Sequence, residues 1–482
     1  MSTDIILSKV LDEFWGIAAI PRPSHHEEKI AKYLCDWAAK RNLKYELDEL
    51  GDVIIEKSAS VGYENAPAVI LQAHMDMVCV AAEGVEYNPL EDPIKVINDG
   101  INISADGTSL GADDGIGIAL ALYLLNDDTL AHGPLKALFT VNEEDGMSSG
   151  AIDPKYLDAK YLINLDWEWL GSLCNSSAGG DFMSFEQNFE RIAALPDGKA
   201  IKIEVSGLLG GHSGVDIHRS RGNAIILIAK LLAQLAENGI DYQLLDFHGG
   251  QARNAIPASA ETTILVNAAF AETAKDIVAQ YAKETIAYFG EIEKAFNLDY
   301  ADIADTSLAI PKEATENLLT LLLTLPNGVH TMSPYVNGLV ESSINLGLLE
   351  TDSNSFHMAA MARSCTVYRA NEILQICKKI ADILGFTYKL GEHSPAWAVN
   401  PNSKLTPLTC KVYEELTGNP MVVEPVHGAL ECGAFFEKNP NLDMIAIGPS
   451  LLNVHTPKET CDLNSVKVTA DLIIKVLKEL KN

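Results

Sequence analysis

The sequence predicts an α/β protein with a mainly parallel sheet, interrupted by an inserted α+β domain. Three observations carry this. Strand-like runs alternate with helical periodicity through residues 1–182. From 183 to 393 the texture changes to alternating strands interleaved with amphipathic helices. From 394 to 482 the first pattern returns, so the two outer pieces are expected to form one domain and the middle piece another.

Taken in order, residues 5–18 and 25–41 have helical periodicity. The second helix is expected to open on Ser24-His25-His26-Glu27, a capping-box pattern after Pro21 and Pro23, with His25 and His26 solvated in its first turn. KYELD and VIIEK are short strand runs. APAVILQAH is almost continuously apolar, which suits a strand covered on both faces. A helix is expected at 114–126, a strand at 135–141, a helix around 153–157 and a strand at 161–165. In the insert, KIEVSG and ETTILVNA are strands, with helices at 222–237 and 271–288. Strand runs near 329–348 and 358–368, then a helix at 370–383, repeat that order, which suggests two βαβ-type copies. After 394 come a helix at 403–417, the strands MVVEPV and MIAIGP, and a final helix at 464–480.

Composition narrows the function classes. Of the 482 residues, 47% are hydrophobic and 21% charged, which excludes collagen-like, coiled-coil and disordered chains. There are 66 Asp and Glu against 36 Lys and Arg, a net charge of −30. Such a surface repels phosphate backbones and anionic bilayers, which argues against nucleic-acid and membrane partners. No charge-free apolar stretch reaches spanning length. The N-terminal apolar residues are interrupted by Asp4, Lys9, Asp12 and Glu13, so no signal peptide is expected. The eight cysteines are scattered without a C-x-x-C pair, which fits reduced thiols in the cytoplasm and not a cysteine zinc site.

Acidic and histidine residues cluster just past strand ends, where open α/β sheets place their sites. APAVILQA ends in His74-Met75-Asp76, PLKALFTV in Asn142-Glu143-Glu144-Asp145, and KYLINL in Asp166. MIAIGP is followed by a loop with His455, and Asp113-Asp114 opens the helix of LGADDGIGIALAL. Each cluster alone has an ordinary explanation: an acidic pair complements a helix macrodipole. Together they fall at the edge that one sheet presents to one cleft. His, Asp and Glu suit zinc or a similar divalent ion. A two-metal hydrolytic site needs a bridging carboxylate and a base for the attacking water. Glu143 and Glu144 could divide metal binding and proton transfer between them. Asp76, two residues after His74, points to the same side and can orient its imidazole.

The segments AHMD, LGADDGIGIA, NEEDG, INLDWE, GGHSG, RNAIP and NVHTPKE resemble the M20 family of dinuclear zinc peptidases. GGHSG, RNAIP, VHGALECG and the long insert are most similar to its aminoacyl-histidine dipeptidase branch. The resemblance implies a zinc-peptidase-like catalytic domain in two sequence pieces, 1–182 and 394–482, with a lid at 183–393 through which a homodimer forms. It implies two divalent ions per subunit, zinc first, with manganese or cobalt as alternatives. His74 would bind one ion, Asp113 bridge both, Asp166 complete the first site, and Glu144 and His455 hold the second. Glu143 would be the general base and Asp76 would orient His74. His212 would polarise the scissile carbonyl, in many members from the partner subunit, and Asn254 would contact substrate. The Asp113–Asp114 peptide is expected to be cis. Many members carry Lys two residues after the bridging Asp where this chain has Gly115, which favours the dipeptidase branch over deacylases. Asp114 and Glu168 are possible substitutes for Asp166.

The implied reaction is hydrolysis of dipeptides, Xaa-His of the β-alanyl-histidine type first, by a two-metal-activated water. A dipeptide carboxylate needs a cationic or N–H-rich pocket, for which Arg363, Arg253 and Gly428–Gly433 are candidates. Glu431 is a candidate for the ammonium, and His427 for a further substrate contact. The alternatives are tripeptide cleavage, N-acyl amino acid hydrolysis, or a non-catalytic binding protein on the same fold.

Overall fold

The computed structural model describes residues 2–146, 148–304, 308–334 and 336–481. The chain begins with α1 (Ser2–Ala18), α2 (Glu28–Lys40), β1 (Lys44–Leu47), β2 (Val53–Lys57) and β3 (Val69–His74). Next come α3 (Ala112–Asn126), β4 (Leu135–Thr140), β5 (Tyr161–Asn164), β6 (Gly179–Asn188), β7 (Gly198–Ser206) and α4 (Ala224–Glu237). They are followed by β8 (Tyr242–Gly249), β9 (Ala260–Asn267), α5 (Ala271–Phe289), β10 (Asn297–Ile303) and α6 (Lys312–Thr324). Then come β11 (Val340–Thr351), β12 (Ser355–Ser364), α7 (Val367–Leu384), β13 (Thr387–Ser394) and α8 (Leu405–Thr417). The chain ends with α9 (Cys432–Lys438), β14 (Asp443–Ala446) and α10 (Leu463–Glu479). Two units result. One holds the chain up to Ser177, Trp397–Pro425 and Leu430 onward; the other holds Ala178–Ala396 and Val426–Ala429.

In the first unit a six-stranded sheet runs β1-β2-β4-β3-β5-β14. The last four strands are mutually parallel and β1-β2 form an antiparallel edge. β3 is buried along its whole length, as its unbroken apolar run predicts. Helix α3 is apolar all round and is buried from Ala112 to Leu125, so it packs as an internal helix. Phe14, Ile17, Leu34, Ile116, Phe139 and Ile473 share one core with it.

The predicted capping box at the start of α2 does not form. The helix begins at Glu28, with Glu27 as its N-cap and no side-chain cap. The Ser24 hydroxyl donates instead to Asp76 Oδ2 at 2.7 Å, and His25 adopts a left-handed φ of 66°. Residues 24–27 therefore form a turn whose polar groups are used elsewhere, and His25 and His26 lie outside the helix.

The second unit is built on an antiparallel sheet in the order β10-β7-β9-β8-β11-β12-β6-β13. Each repeated motif is larger than the βαβ copy predicted. One copy is β7-α4-β8-β9-α5-β10 and the other is β6-α6-β11-β12-α7-β13, each a βαββαβ unit. In both, the first strand lies between the third and the fourth. The first copy is inserted after the opening strand of the second, and the two join where β8 pairs β11. The sequence reading places no element over 297–324. That region holds β10 and α6. The single run expected at 329–348 is an edge strand, Gly328–Met332, and β11, separated by a turn with Gly338 at φ 80°. Among the described residues no helix is long and apolar enough to cross a membrane.

Candidate metal centre

The parallel strands of the first unit deliver their acidic ends to one place. His74 is the last residue of β3, Asp166 follows β5, and Glu143-Glu144 follow β4. Asp113 stands in the first turn of α3, where the Asp113–Asp114 peptide is cis, as the resemblance implies. His455 reaches in from the loop after β14 at a left-handed φ of 61°. Two sets of ligand atoms result, each lying within 4.8 Å of one another: His74, Asp113 and Asp166, and Asp113, Glu144 and His455. Asp113 belongs to both. Its Oδ1 is 3.1 Å from His74 Nε2, and its Oδ2 is 3.0 Å from His455 Nε2. His455 Nε2 is also 2.9 Å from Glu144 Oε1, and His74 Nε2 is 3.8 Å from Asp166 Oδ1. Asp114 and Glu168 are in neither set.

Three buried side chains hold these segments. Asp76 Oδ1 lies 3.4 Å from His74 Nδ1, and the same carboxylate accepts the amides of Glu143 and Glu144 at 3.0 and 3.2 Å. Glu459, buried, accepts the amides of Leu110, Gly111 and Ala112 at 2.8, 3.0 and 2.8 Å, and so fixes the turn that carries Asp113. Arg22, also buried, donates to the carbonyls of Met75, Asp76 and Gly111. A Cβ at Gly115 would stand 2.7 Å from Arg22 Nη2, so the guanidinium takes the space that a side chain at 115 would need. The sequence reading assigns no role to Glu459 or Arg22. Glu459 lies inside the NVHTPKE motif, which was the available signal; Arg22 has none.

The electrostatics suit a cation. Burial pushes the Glu143 and Asp166 carboxyls well above the ordinary range, and neighbouring carboxylates add to the effect. Burial also opposes the charge on Asp76, but His74, Ser24 and the Glu143 amide hold it down at about 2. Burial disfavours a charged His74, yet Asp113 and Asp76 outweigh it and raise its pKa. Hydrogen bonds to Asp113 and Glu144 lift His455 to about 10. Among the described residues no lysine or arginine pairs with Asp113, Glu144 or Asp166; only imidazoles do. A buried anionic set facing neutralisable imidazoles fits two divalent ions.

The remaining candidates divide between the units. Glu431, just before α9 in the first unit, is buried and accepts from Gln72 Nε2 at 2.6 Å and Thr140 Oγ1 at 2.8 Å. In the second unit His212 and Arg363 are neighbours: Arg363 Nη2 is 3.2 Å from His212 Nε2, and Arg363 Nε donates to Ser213 Oγ. The amide of Val215 donates to His212 Nδ1 at 3.3 Å, so donors face both ring nitrogens. Burial and the Arg363 charge lower the His212 pKa, so the ring is neutral. His427 is buried in the same unit, bonded through Nε2 to Ser343 Oγ at 2.7 Å, and burial drops its pKa to about 3. Asn254 is exposed, and its carbonyl accepts from Ser213 N at 2.9 Å. Arg253 is engaged elsewhere, paired with Glu392 and stacked 3.7 Å from the Phe182 ring centroid.

The first unit is thus a largely parallel sheet with two candidate metal-ligand sets past its strand ends, and the second is an antiparallel unit. The profile of peptidase family M20/M25/M40 matches residues 70–479, and the chain belongs to this family. It is 34% identical over 470 residues to the cytosol non-specific dipeptidase of Escherichia coli (strain K12), covering 97% of each chain. The crystal structure of aminoacylhistidine dipeptidase from Vibrio alginolyticus superimposes with a TM-score of 0.91 at 32% identity, over 98% of this chain and 96% of that one. The aminopeptidase PepT from Bacillus cereus shares the fold at 15% identity, with a TM-score of 0.57 over 99% of each chain.

Proposed function

We propose that the chain is a two-metal dipeptidase, cleaving Xaa-His dipeptides of the β-alanyl-histidine type within a broad specificity. The observation that carries this is Asp113, shared between two ligand sets, with a half-buried Glu143 whose carboxyl is pushed up. Near-full-length likeness to proteins named as dipeptidases supports the substrate class. His74, Asp113 and Asp166 would hold one ion, and Asp113, Glu144 and His455 the other, with zinc as the proposed metal. Such ions supply Lewis acidity and lower the pKa of water toward neutrality.

The protein's own groups do the rest. Glu143 takes the proton of the attacking water and returns it to the leaving amine; its raised pKa suits a group that must carry a proton between steps. Asp76 orients His74 through Nδ1 and fixes the Glu143 amide. His212 is assigned the contact to the carbonyl oxygen. Arg363 is assigned the substrate carboxylate, Glu431 the ammonium, and Asn254 and His427 further substrate contacts. We place the enzyme in the cytoplasm as a homodimer formed through the second unit, which serves as its lid.

The test is metal analysis with turnover of β-alanyl-histidine, an unblocked tripeptide and an N-acetyl amino acid side by side. Two equivalents of metal with dipeptide cleavage are expected; preference for either other substrate redirects the assignment. Glu143→Ala should abolish turnover and leave metal content near wild type. Loss of both metals would show that Glu143 is structural.

A further inference from the structure

Residues 141–144 leave the sheet after Thr140, so their amides have no strand partner. Three carboxylates from three different elements take them instead. Val141 N donates to Asp52 Oδ1 at 3.1 Å, and Asn142 N to Glu27 Oε1 at 3.0 Å. Glu143 N and Glu144 N donate to the two oxygens of Asp76. The contact to Asn142 is reciprocal: His25 N donates to Asn142 Oδ1 at 2.6 Å and to Glu27 Oε1 at 3.1 Å. Asn142 and His25 both sit at left-handed φ, 54° and 66°, so each turn is shaped to meet the other. Asp52 is itself set by the β1-β2 turn, whose amides at 50–52 are bound by Asp48 Oδ1. Glu27, Asp52 and Asp76 are all buried.

We propose that Glu27 and Asp52 are positioning residues for Glu143, and that with Asp76 they form a carboxylate cradle that holds the 141–144 backbone. This rests on the reading of Glu143 as the general base. Buried amides without partners are costly, so losing an acceptor lets the turn move. A shift of about 1 Å at a reacting group can cost about a hundredfold in rate. Burial pushes both carboxyls up, Asp52 to about 8, so the oxygen as acceptor matters more than the charge.

The experiment compares Glu27→Ala, Glu27→Gln, Asp52→Ala and Asp52→Asn with Glu143→Ala, all as metal-loaded full chains. Steady-state kinetics on a dipeptide, metal content, and hydrogen exchange of the peptide spanning 140–146 are read together. The alanine variants should lower kcat by about tenfold to a hundredfold with KM and metal content unchanged. Exchange at 141–144 should rise in the same variants. Glutamine and asparagine keep an acceptor oxygen and should restore both readouts. Wild-type exchange and kcat in the alanine variants would overturn the proposal. So would metal loss tracking kcat, or conservative variants no better than alanine. An active Glu143→Ala would instead sink the base assignment, while the exchange data would still judge the cradle.

Discussion

Replacing Glu459 by Ala should loosen the Asp113 turn and lower metal binding together. Its carboxylate accepts three amides at 2.8–3.0 Å from consecutive residues 110–112. Hydrogen bonds to a charged acceptor contribute about 1.5–3 kcal/mol each, which sets a gross loss of about 5–9 kcal/mol. A buried carboxylate carries a desolvation cost of several kcal/mol, and its removal gives that back. The net destabilisation is about 2–4 kcal/mol, the range of a broken buried network. All five tryptophans, at 15, 37, 167, 169 and 397, lie in the first unit, so their fluorescence in denaturant reports on that unit alone. The midpoint should fall and bound metal should drop below two equivalents. Glu459→Gln keeps an acceptor and should lose less than half as much. A wild-type midpoint with full metal content in Glu459→Ala would refute the reasoning.

Three further outcomes are expected. His212→Ala should cost ~2–4 kcal/mol of transition-state stabilisation if the imidazole is a carbonyl donor, and an unchanged kcat/KM would remove that role. In the metal-free protein His455 is held protonated up to about pH 10. Metal must displace that proton, so affinity rises with pH and falls about tenfold per unit of acidification. Zinc competition against a chelator between pH 6 and 8 measures this, and a flat affinity would contradict it. Finally, mixing Glu143→Ala with His212→Ala chains should restore no activity if His212 serves its own chain; recovery in mixed dimers would show action across the interface.

The candidate ligand set was legible because most of its members end or follow strongly patterned strands or open a strongly patterned helix. APAVILQAH points to both β3 and His74 at once. Asp113 was legible as an acidic helix start, but its double contact depends on a backbone turn held by Glu459, 346 residues away. No local pattern encodes that distance. Ser24-His25-His26-Glu27 shows the opposite failure: a good local capping signature was overruled because Asp76 and Asn142 compete for the same polar groups. Arg22 and Asp52 carried no signal, since a single buried charge is recognised only by what surrounds it. At α6 the signal was present and unused: Ala314, Leu318, Leu321 and Leu322 recur at helical spacing and are buried.

The nested duplication bears on the surroundings of His212 in the mixing experiment. His212 follows β7 in the first copy, whereas Arg363 ends β12 and Ser343 lies on β11 in the second. Inserting the first copy after β6 and pairing β8 with β11 puts both copies into one sheet. The His212 loop is therefore bound to strands of the same chain, through Ser213 and Arg363. In a family whose members often draw this histidine from a second subunit, a single-copy insert would need that subunit to supply the neighbouring strands. Here the second copy supplies them, so the neighbours that lower the His212 pKa are in place before any partner arrives. A dimer formed through this unit would then leave these hydrogen bonds of His212 as they are in the single chain.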